Sequence, residues 1–326
     1  MSLPRIAVAG AGAFGRNHLR VIHSSEHAIL AGVFDIDSAC AAAAAQPYSC
    51  PVFATLDDLA RASDAVVVAT PTVTHSQIGC HLMELGLDVL VEKPIAHSPG
   101  PARILVETAT RTGRVLQVGH LERFNPVVIA LTAVVTKPLF FEIHRLSEFT
   151  PRSLDVDVVL DLMIHDIDIV LALTGEMPEE IRAAGISILT PKVDIANARL
   201  QFPGGCVANL TASRVSTERV RKLRLFQPHE YISLDYTRKD AARLRVKPAQ
   251  GSAPAIDFSP LPVTQEEPLR LELEAFIDSL TTRHPPVVTG AQGLAALEVA
   301  SGILDRIEEH SRLVAQALQN QASQRG

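Results

Sequence analysis

The 326-residue chain contains no tryptophan, and aromatic residues make up only 4% of it. Its four cysteines have neither the CxxC spacing of zinc and redox motifs nor the pattern of a disulfide framework. This cysteine usage predicts reduced thiols and a cytoplasmic protein. The net charge is −6 and no cluster of basic residues occurs, which argues against a surface that follows a nucleic-acid backbone.

Long apolar runs are also missing, since none approaches the roughly 18 residues of a membrane-spanning helix. The N-terminus leads directly into a strand-like run, Arg5 to Gly10, so we expect no signal peptide. Hydrophobic residues amount to 47% and charged residues to 20%, as in a globular protein. The length is sufficient for two domains.

The first motif is the glycine-rich sequence GAGAFG at residues 10–15. It follows the strand-like run and precedes a predicted helix from Phe14 to Ser24, the context that gives GxGxxG its meaning. The first glycine permits the tight turn, the second leaves room for a pyrophosphate, and the third allows close packing of helix on strand. The predicted cofactor-binding residues of this turn are Gly10, Gly12, Ala13, Phe14 and Gly15.

An acidic residue follows the second predicted strand. That strand runs from Ala28 to Phe34 and ends at Asp35, at the distance from the glycine motif that a dinucleotide fold requires. A carboxylate there accepts hydrogen bonds from the adenosine ribose and repels a 2′-phosphate. Because no arginine follows Asp35, we predict NAD as the cofactor in preference to NADP.

Strands and helices alternate through residues 1–122, which we predict to be an NAD-binding Rossmann domain with a doubly wound parallel sheet. Ligands of such sheets bind beyond the carboxyl ends of the strands. The polar or unusual residues at these ends, predicted to contact cofactor or substrate, are Thr70, Pro71, His75, Glu92, Lys93 and His120. Structural roles remain the alternative for the two histidines.

Residues 123–326 follow a different pattern and are predicted to form an α+β domain for substrate binding and oligomerisation. Several strand-like runs occur with few helices between them, which predicts a large, mostly antiparallel sheet. Residues 248–264 are expected to be a loop, followed by helices over 266–282 and 291–310. A broad sheet face needs a cover, so we predict a homodimer or homotetramer.

The segment VVLDLMIHDIDIVLAL, residues 158–173, is almost wholly apolar apart from its acidic residues and one histidine. We predict a buried helix in which Asp161 and His165 share one face, with Asp168 one turn further along. Buried polar groups require partners, so this stripe is interpreted as the catalytic edge of a pocket. A core histidine bonded to a core aspartate is the alternative. A metal site on these residues is not expected, because the usual zinc-ligand spacing is missing.

These motifs together resemble the glucose-fructose oxidoreductase, inositol dehydrogenase and rhizopine-catabolism family (Gfo/Idh/MocA). The resemblance rests on the GxGxxG turn, on Glu92-Lys93-Pro94 and on Asp161 with His165, in the family's order. It implies that Lys93, Asp161 and His165 form the catalytic group. The family usually has glycines just before the aspartate, whereas this chain has Val158, Val159 and Leu160.

Residues 119–126 (GHLERFNP) and 160–168 (LDLMIHDID) resemble the branch of the family that oxidises nucleotide sugars. This resemblance implies oxidation of the 3-hydroxyl of UDP-N-acetylglucosamine to a keto sugar, with an aminotransferase acting on the product. A dehydrogenase of a free polyol such as inositol and a non-catalytic NAD-binding regulator are the alternatives. The implied substrate-binding residues are Lys93, His120, Arg123, Asn125, Arg152, Asp161 and His165.

The chemistry requires a base for the hydroxyl proton and a partner for the reacting oxygen. We expect His165 to be the base, because imidazole titrates near working pH, and Asp161 to orient it. Lys93 would stabilise the developing alkoxide. A buried Lys93 with a lowered pKa could itself be the base, and the sequence leaves both assignments open. Arg145, near the strand before this helix, is a further candidate for a diphosphate contact.

Overall fold

A computed structural model of the chain describes residues 2–149, 156–247 and 255–325. The chain divides into two compact units. The first comprises Met1–Phe124 and Glu266–Leu297, and the second comprises Asn125–Gln265 and Glu298–Gly326. Of the helices in the described ranges, none combines the length and apolar character needed to cross a bilayer.

The first unit is built on a parallel sheet, as predicted. Its described strands lie in the order β2-β1-β3-β4-β5. Strand β1 is fully buried from Ile6 to Ala9, which explains its continuous apolar sequence. A parallel bridge between Val33 and Val52 extends the sheet beyond β2. The strands are β1 (Arg5–Ala9), β2 (Ile29–Phe34), β3 (Ala65–Val68), β4 (Asp88–Glu92) and β5 (Leu116–Gly119).

The second unit contains a large sheet that is mostly antiparallel, also as predicted. Its described strands lie in the order β13-β12-β11-β10-β6-β9-β8-β7, and β6 with β9 is the parallel pair. The strands are β6 (Phe140–Leu146), β7 (Glu180–Ile186), β8 (Ile195–Gln201), β9 (Val207–Ser213), β10 (Val220–Gln227), β11 (Glu230–Asp235), β12 (Asp240–Lys247) and β13 (Ala255–Pro260).

Helices accompany both sheets. In chain order, those of the described residues are α1 (Ala13–His23), α2 (Ser38–Ala45), α3 (Leu56–Ala62), α4 (His75–Glu84), α5 (Pro99–Thr112), α6 (Pro126–Thr132), α7 (Ile164–Thr174), α8 (Pro268–Thr282) and α9 (Gly290–Arg325). Helix α1 buries Leu19 and Ile22 at helical spacing, and this apolar face packs in the core of the first unit.

Residues 266–297 differ from the predicted domain division, because they pack with the first unit instead of the second. The cause is the apolar face of α8. Its Leu273 and Phe276 are at most 2% exposed and share a core with Ile6 of β1 and Leu19 of α1. The sequence shows an amphipathic helix at this position but not which sheet it covers.

The prediction of a loop over residues 248–264 is wrong for residues 255–260, which form β13. This strand pairs antiparallel with β12, with Ile256 opposite Val246 and Phe258 opposite Leu244. Both Ile256 and Phe258 are 68% exposed. An edge strand that buries so little lacks the alternation on which strand prediction depends. Residues 248–254 lie outside the described part of the chain.

Candidate active site

The glycine motif forms the turn between β1 and α1. Gly10 has φ +103°, and a Cβ there would lie 2.4 Å from the carbonyl oxygen of Ala69. A Cβ on Gly15 would lie 1.8 Å from the carbonyl oxygen of Gly10, so the close approach of helix and strand requires glycine. Gly12 differs, because a Cβ on it would meet no atom within 4 Å. Gly10 and Gly15 therefore serve the turn, while Gly12 leaves open space.

That open space adjoins the N-terminus of α1. Helix α1 begins at Ala13 with Gly12 as its N-cap, and within the described chain no side chain caps it. The first backbone N–H groups of a helix have no partners inside the helix and attract anions. The exposed Phe14 lies in the same turn. Open space beside uncapped N–H groups fits the pyrophosphate of a dinucleotide.

Asp35 is held in place by backbone donors. Its Oδ2 accepts a hydrogen bond from the N–H of Ala11 at 2.7 Å, and its Oδ1 accepts one from Asp37 at 2.9 Å. These bonds fix the carboxylate at the end of β2, next to the glycine turn. The following residue, Ile36, is 97% exposed and offers no positive charge. The arrangement fits the ribose-binding role predicted for Asp35.

The ends of β3 and β4 are joined through His75, the first residue of α4. Its Nε2 lies 2.8 Å from the carbonyl oxygen of Thr70, and its Nδ1 lies 2.9 Å from that of Pro94. Burial lowers the pKa of His75, although both carbonyl acceptors oppose the shift. The side chain is 1% exposed, so the cofactor contact predicted for His75 stays a prediction and its visible contacts are structural. Pro71 is exposed beside Thr70.

Glu92 ends β4 and Lys93 follows it, and the two residues differ in burial. The Glu92 side chain turns inward, and its Oε1 lies 2.7 Å from Nε2 of His18 on α1. Its Oε2 accepts a hydrogen bond from the N–H of Lys93 at 3.3 Å. Lys93 is half-buried, and the peptide bond between Lys93 and Pro94 is cis. Of this pair, Lys93 is the residue with an accessible side chain.

The residues after β5 were predicted to contact substrate, and the structure shows where they lie. His120 is 1% exposed at the end of β5. Arg123 lies in a short 3₁₀ helix and donates to the carbonyl oxygen of Val287 at 3.4 Å. Asn125 caps α6 by accepting a hydrogen bond from Val127 at 3.3 Å. Their substrate contacts stay predictions, and Arg152 lies outside the described residues.

The predicted catalytic helix of the second unit begins with an irregular turn. Residues Val159–Met163 form a π-helical turn that leads into α7, so Asp161 and His165 do not share the regular α-helical stripe that was predicted. Both are half-buried, which corrects the expectation that they are buried. Asp168 is buried, at 2% exposed. Single-turn π-helices commonly occur at functional sites.

A buried ion pair holds α7 to the sheet. Arg145 of β6 donates from Nε to Oδ2 of Asp166 at 2.8 Å and from Nη2 to Oδ1 at 2.7 Å. Both residues are 2% exposed, and the guanidinium also lies 5.3 Å from the ring centre of Tyr236. The predicted diphosphate contact of Arg145 is therefore wrong. Asp166 adjoins His165, so the pair fixes the helix that carries the predicted base.

Sequence reasoning missed this pair, although a signal for it exists. Phe141, Ile143 and Arg145 alternate along β6, so they share one face of the sheet. The first two are apolar and at most 1% exposed. An arginine on such a face requires a buried anion, and α7 carries the acidic residues that could supply one.

Two family models match the chain in series. The model of an oxidoreductase family with an NAD-binding Rossmann fold matches residues 4–120, and the GFO/IDH/MocA C-terminal domain matches residues 128–227. The chain belongs to the Gfo/Idh/MocA oxidoreductase family. Lys93 lies in the first matched segment, and Asp161 and His165 lie in the second.

Similar Gfo/Idh/MocA proteins cover nearly the whole chain. The UDP-N-acetylglucosamine 3-dehydrogenase of Acidithiobacillus ferrooxidans is 34% identical over 302 residues, which are 91% of this chain and 96% of that protein. A solved structure of that enzyme has a TM-score of 0.88 and covers 95% of this chain and 99% of its own. The inositol 2-dehydrogenase of Rhizobium meliloti is 25% identical over 95% of this chain and 98% of that protein. The similarity therefore extends over both units.

Proposed function

We propose that the chain is an NAD-dependent dehydrogenase that oxidises the 3-hydroxyl of UDP-N-acetylglucosamine to the 3-keto sugar. The observation that supports this substrate is the 34% identity to the Acidithiobacillus ferrooxidans enzyme over 91% of this chain. A relative that matched the Rossmann fold alone would carry no information on the substrate. The nucleotide-sugar resemblance of residues 119–126 and 160–168 supports the same substrate class.

The preference for NAD over NADP is proposed from Asp35. Its two carboxylate oxygens are held by backbone N–H groups, so the negative charge is fixed where the adenosine ribose would lie. A 2′-phosphate at that position would meet like charge, and the exposed Ile36 cannot compensate it. The other cofactor-binding residues proposed here are those predicted from the sequence except Glu92, whose side chain contacts His18 and which is expected to act through Lys93.

The mechanism assigns one role to each predicted catalytic residue. When bound, NAD would supply the acceptor for the hydride of the sugar carbon. His165 takes the hydroxyl proton, because a neutral imidazole is an effective general base near neutral pH. Asp161 orients His165, and Lys93 donates a hydrogen bond to the reacting oxygen as negative charge develops. In the alternative assignment, Lys93 and not His165 is the base that takes the hydroxyl proton.

Substrate contacts are proposed for the residues that follow β5. Arg123 is half-buried near the strand end, and arginine is the natural partner of a diphosphate. His120 and Asn125 are proposed to contact the sugar, and Arg152 is proposed as a second cation. Lys93 is proposed to contact the sugar as well.

The product and the assembly are proposed on chemical grounds. A 3-keto sugar is the substrate that an aminotransferase requires, which would link this reaction to the diamino sugar of lipid A. A homodimer or homotetramer is supported by the exposed face of the second sheet, where Asn197, Arg199 and Gln201 alternate with buried residues. A cytoplasmic location is supported by the four free cysteines.

The decisive experiment follows NADH absorbance with purified protein, NAD and four candidate substrates. These are UDP-N-acetylglucosamine, its uronic acid, UDP-glucose and myo-inositol. A coupled aminotransferase should remove the ketone, because the equilibrium of alcohol oxidation can oppose its accumulation. Turnover with UDP-N-acetylglucosamine supports the proposal, and turnover with myo-inositol alone contradicts it.

A free polyol is the second candidate substrate, favoured by the inositol 2-dehydrogenase that matches 95% of this chain. UDP should then give no thermal protection. Tight NADH binding without turnover on any sugar would instead favour the third candidate function, that of a non-catalytic NAD-binding regulator.

A further inference from the structure

Three titratable side chains converge in the core of the first unit. They are His18 of α1, Glu92 of β4 and Glu272 of α8, which are 1%, 8% and 0% exposed. One nitrogen or oxygen of each lies within 4.8 Å of the others. No motif flagged His18 or Glu272, and neither has a role in the proposed mechanism. Their convergence next to Lys93 requires a physical explanation.

Glu92 is the member of the cluster whose carboxyl oxygens have hydrogen-bond donors beside them. Its Oε1 lies 2.7 Å from Nε2 of His18, and its Oε2 accepts from the N–H of Lys93 at 3.3 Å. An ionised Glu92 can only accept, and Nε2 of His18 would then be the donor. Both oxygens of Glu92 therefore accept hydrogen bonds, which those of Glu272 do not within the described residues.

Glu272 is in the opposite situation. It is fully buried, and neither of its carboxyl oxygens has a hydrogen-bond partner in the described part of the chain. A buried charge without a partner is strongly unfavourable. Burial, together with the negative charge of Glu92, raises the pKa of Glu272 well above its ordinary range. Geometry and charge thus both favour a neutral Glu272.

We propose that Glu272 retains its proton in the folded protein and that Glu272 and His18 hold Glu92 as a single buried anion, which positions Lys93. Glu92 acts on Lys93 through the backbone hydrogen bond, so Glu92, His18 and Glu272 are positioning residues. The positioning of Lys93 for catalysis rests on the proposed function. The protonation of Glu272 does not depend on it.

Among the described residues, no charged group on the elements around α8 pairs with the Glu272 carboxyl. Helix α1 contributes Arg20 as well as His18, and Arg20 forms an ion pair with the exposed Glu267. The 3₁₀ helix that packs on α8 carries Glu122 and Arg123. Strand β5 contributes Gln117, which is uncharged and donates to the backbone oxygen of Glu272 at 3.1 Å. Of the described residues, Glu92 is the one whose charge adds to the effect of burial on Glu272.

A metal ion is the main rival to the proton. With zinc–ligand bonds of about 2.0–2.2 Å, two ligands of a tetrahedral site lie roughly 3.3 Å apart. The 2.7 Å between His18 and Glu92 is instead a hydrogen-bond distance. The observed geometry therefore favours a hydrogen bond between His18 and Glu92 over two ligands of one ion.

The first test compares thermal unfolding of the wild type and Glu272→Gln between about pH 5 and pH 8. In the unfolded chain, glutamate ionises near pH 4.3, whereas folded Glu272 stays protonated to higher pH. When the pKa of a group is raised in the folded state, the group stabilises the fold fully at pH values below its unfolded-state pKa. This stabilisation is lost as the pH rises from the unfolded-state pKa towards the folded-state pKa. Glutamine does not titrate, so the Tm of E272Q should rise relative to the wild type as pH increases.

The matched control is Glu274→Gln, on an exposed position of the same helix. Its Tm should differ from the wild type by a small amount that does not change with pH. Glu272→Met is a second neutral variant, for use if E272Q folds poorly, and it should show the same trend. A loss of Tm in E272Q that is constant or grows with pH would overturn the protonation of Glu272.

The second test adds Zn²⁺ or Mn²⁺ after dialysis against a chelator. The proposal predicts that neither ion raises the Tm of the wild type more than that of E272Q. A rise in the wild type alone would identify a cation site and overturn the proposal.

The third test measures positioning. Glu92→Gln should lower kcat by roughly tenfold or more, while the KM for NAD changes by less than about threefold. E272Q should keep kcat within about twofold near neutral pH, because it preserves the neutral state. Equal losses in kcat and NAD affinity for E92Q would contradict positioning. If the wild type oxidises no sugar, the proposed function and the positioning role fail together, but the pH dependence of Tm still decides the protonation.

Discussion

The two units position their predicted catalytic residues by different means. In the first, Lys93 is placed by backbone geometry at a strand end, with its N–H bonded to Glu92 and the neighbouring Pro94 bonded to His75. In the second, His165 lies on a helix that a buried ion pair attaches to the sheet. Short motifs encode the first arrangement. The second depends on a buried pair of side chains that no short motif encodes.

The units also neutralise buried acids differently. Asp166 is 2% exposed and receives two hydrogen bonds from one guanidinium. Glu272 is 0% exposed and has a carboxylate for its neighbour. A buried carboxyl group acquires a cation or hydrogen-bond donors, or it retains a proton. The two sites therefore predict opposite responses to substitution by a neutral residue, tolerance at Glu272 and damage at Asp166.

The largest expected effect is on turnover, from one residue in each unit. Lys93→Met and His165→Asn should each lower kcat by about 10²–10⁴-fold, with NADH binding retained. If both residues act on the same hydroxyl, the double variant should lose little more than the worse single variant. Steady-state kinetics and NADH fluorescence titration measure these effects. Fully additive losses would contradict action on one group.

Controls for these substitutions are Lys137→Met and His284→Asn, which alter exposed side chains. Both should keep wild-type kcat. A loss in either control would show that the assay reports general destabilisation.

Arg145→Leu should be the most destabilising of these substitutions, by about 3–5 kcal/mol, because it leaves the Asp166 charge buried and unpaired. Denaturant unfolding measures this change. The matched control is Arg182→Leu, which breaks the exposed pair with Glu180 and should cost at most about 1 kcal/mol. Similar losses in the two variants would show that burial of the pair does not matter.

Gly12→Ala should weaken NADH binding by roughly tenfold, about 1.4 kcal/mol, with little change in Tm. The added methyl group meets no protein atom but occupies the space left for the pyrophosphate. Gly100→Ala, which also meets no atom within 4 Å, is the control and should bind NADH normally. Unchanged binding in G12A would place the pyrophosphate elsewhere.

The smallest expected effect is a change of cofactor preference. Asp35→Ser with Ile36→Arg removes the fixed negative charge and supplies a cation for a 2′-phosphate. NADP affinity should rise by roughly tenfold, again about 1.4 kcal/mol, with a loss of NAD affinity. The single variant Ile36→Arg retains Asp35, so its affinity for NADP should rise less than that of the double variant. Equal affinities for both cofactors in the wild type would contradict the role of Asp35.

The difference between the units also explains which features the sequence could predict. The glycine turn and Asp35 depend on local geometry, so spacing alone located them. The π-helical turn at Val159–Met163 has no comparable local signal, although the replacement of the family's glycines by Val158 and Val159 marks the place. An arginine on the apolar face of β6 signals a buried anion, but the sequence alone does not show that Asp166 supplies it. No local pattern marks Glu272, which meets Glu92 and His18 only in the fold.

The measurement that tests the central proposal most directly uses UDP-N-acetylglucosamine deuterated at carbon 3. Oxidation at that carbon transfers deuterium to the cofactor, so mass spectrometry should find reduced NAD heavier by one mass unit. Lys93→Met should show strongly reduced transfer. Reduced NAD without the label would contradict oxidation at carbon 3, and no reduced NAD from this sugar, with turnover on myo-inositol, would contradict a nucleotide-sugar substrate.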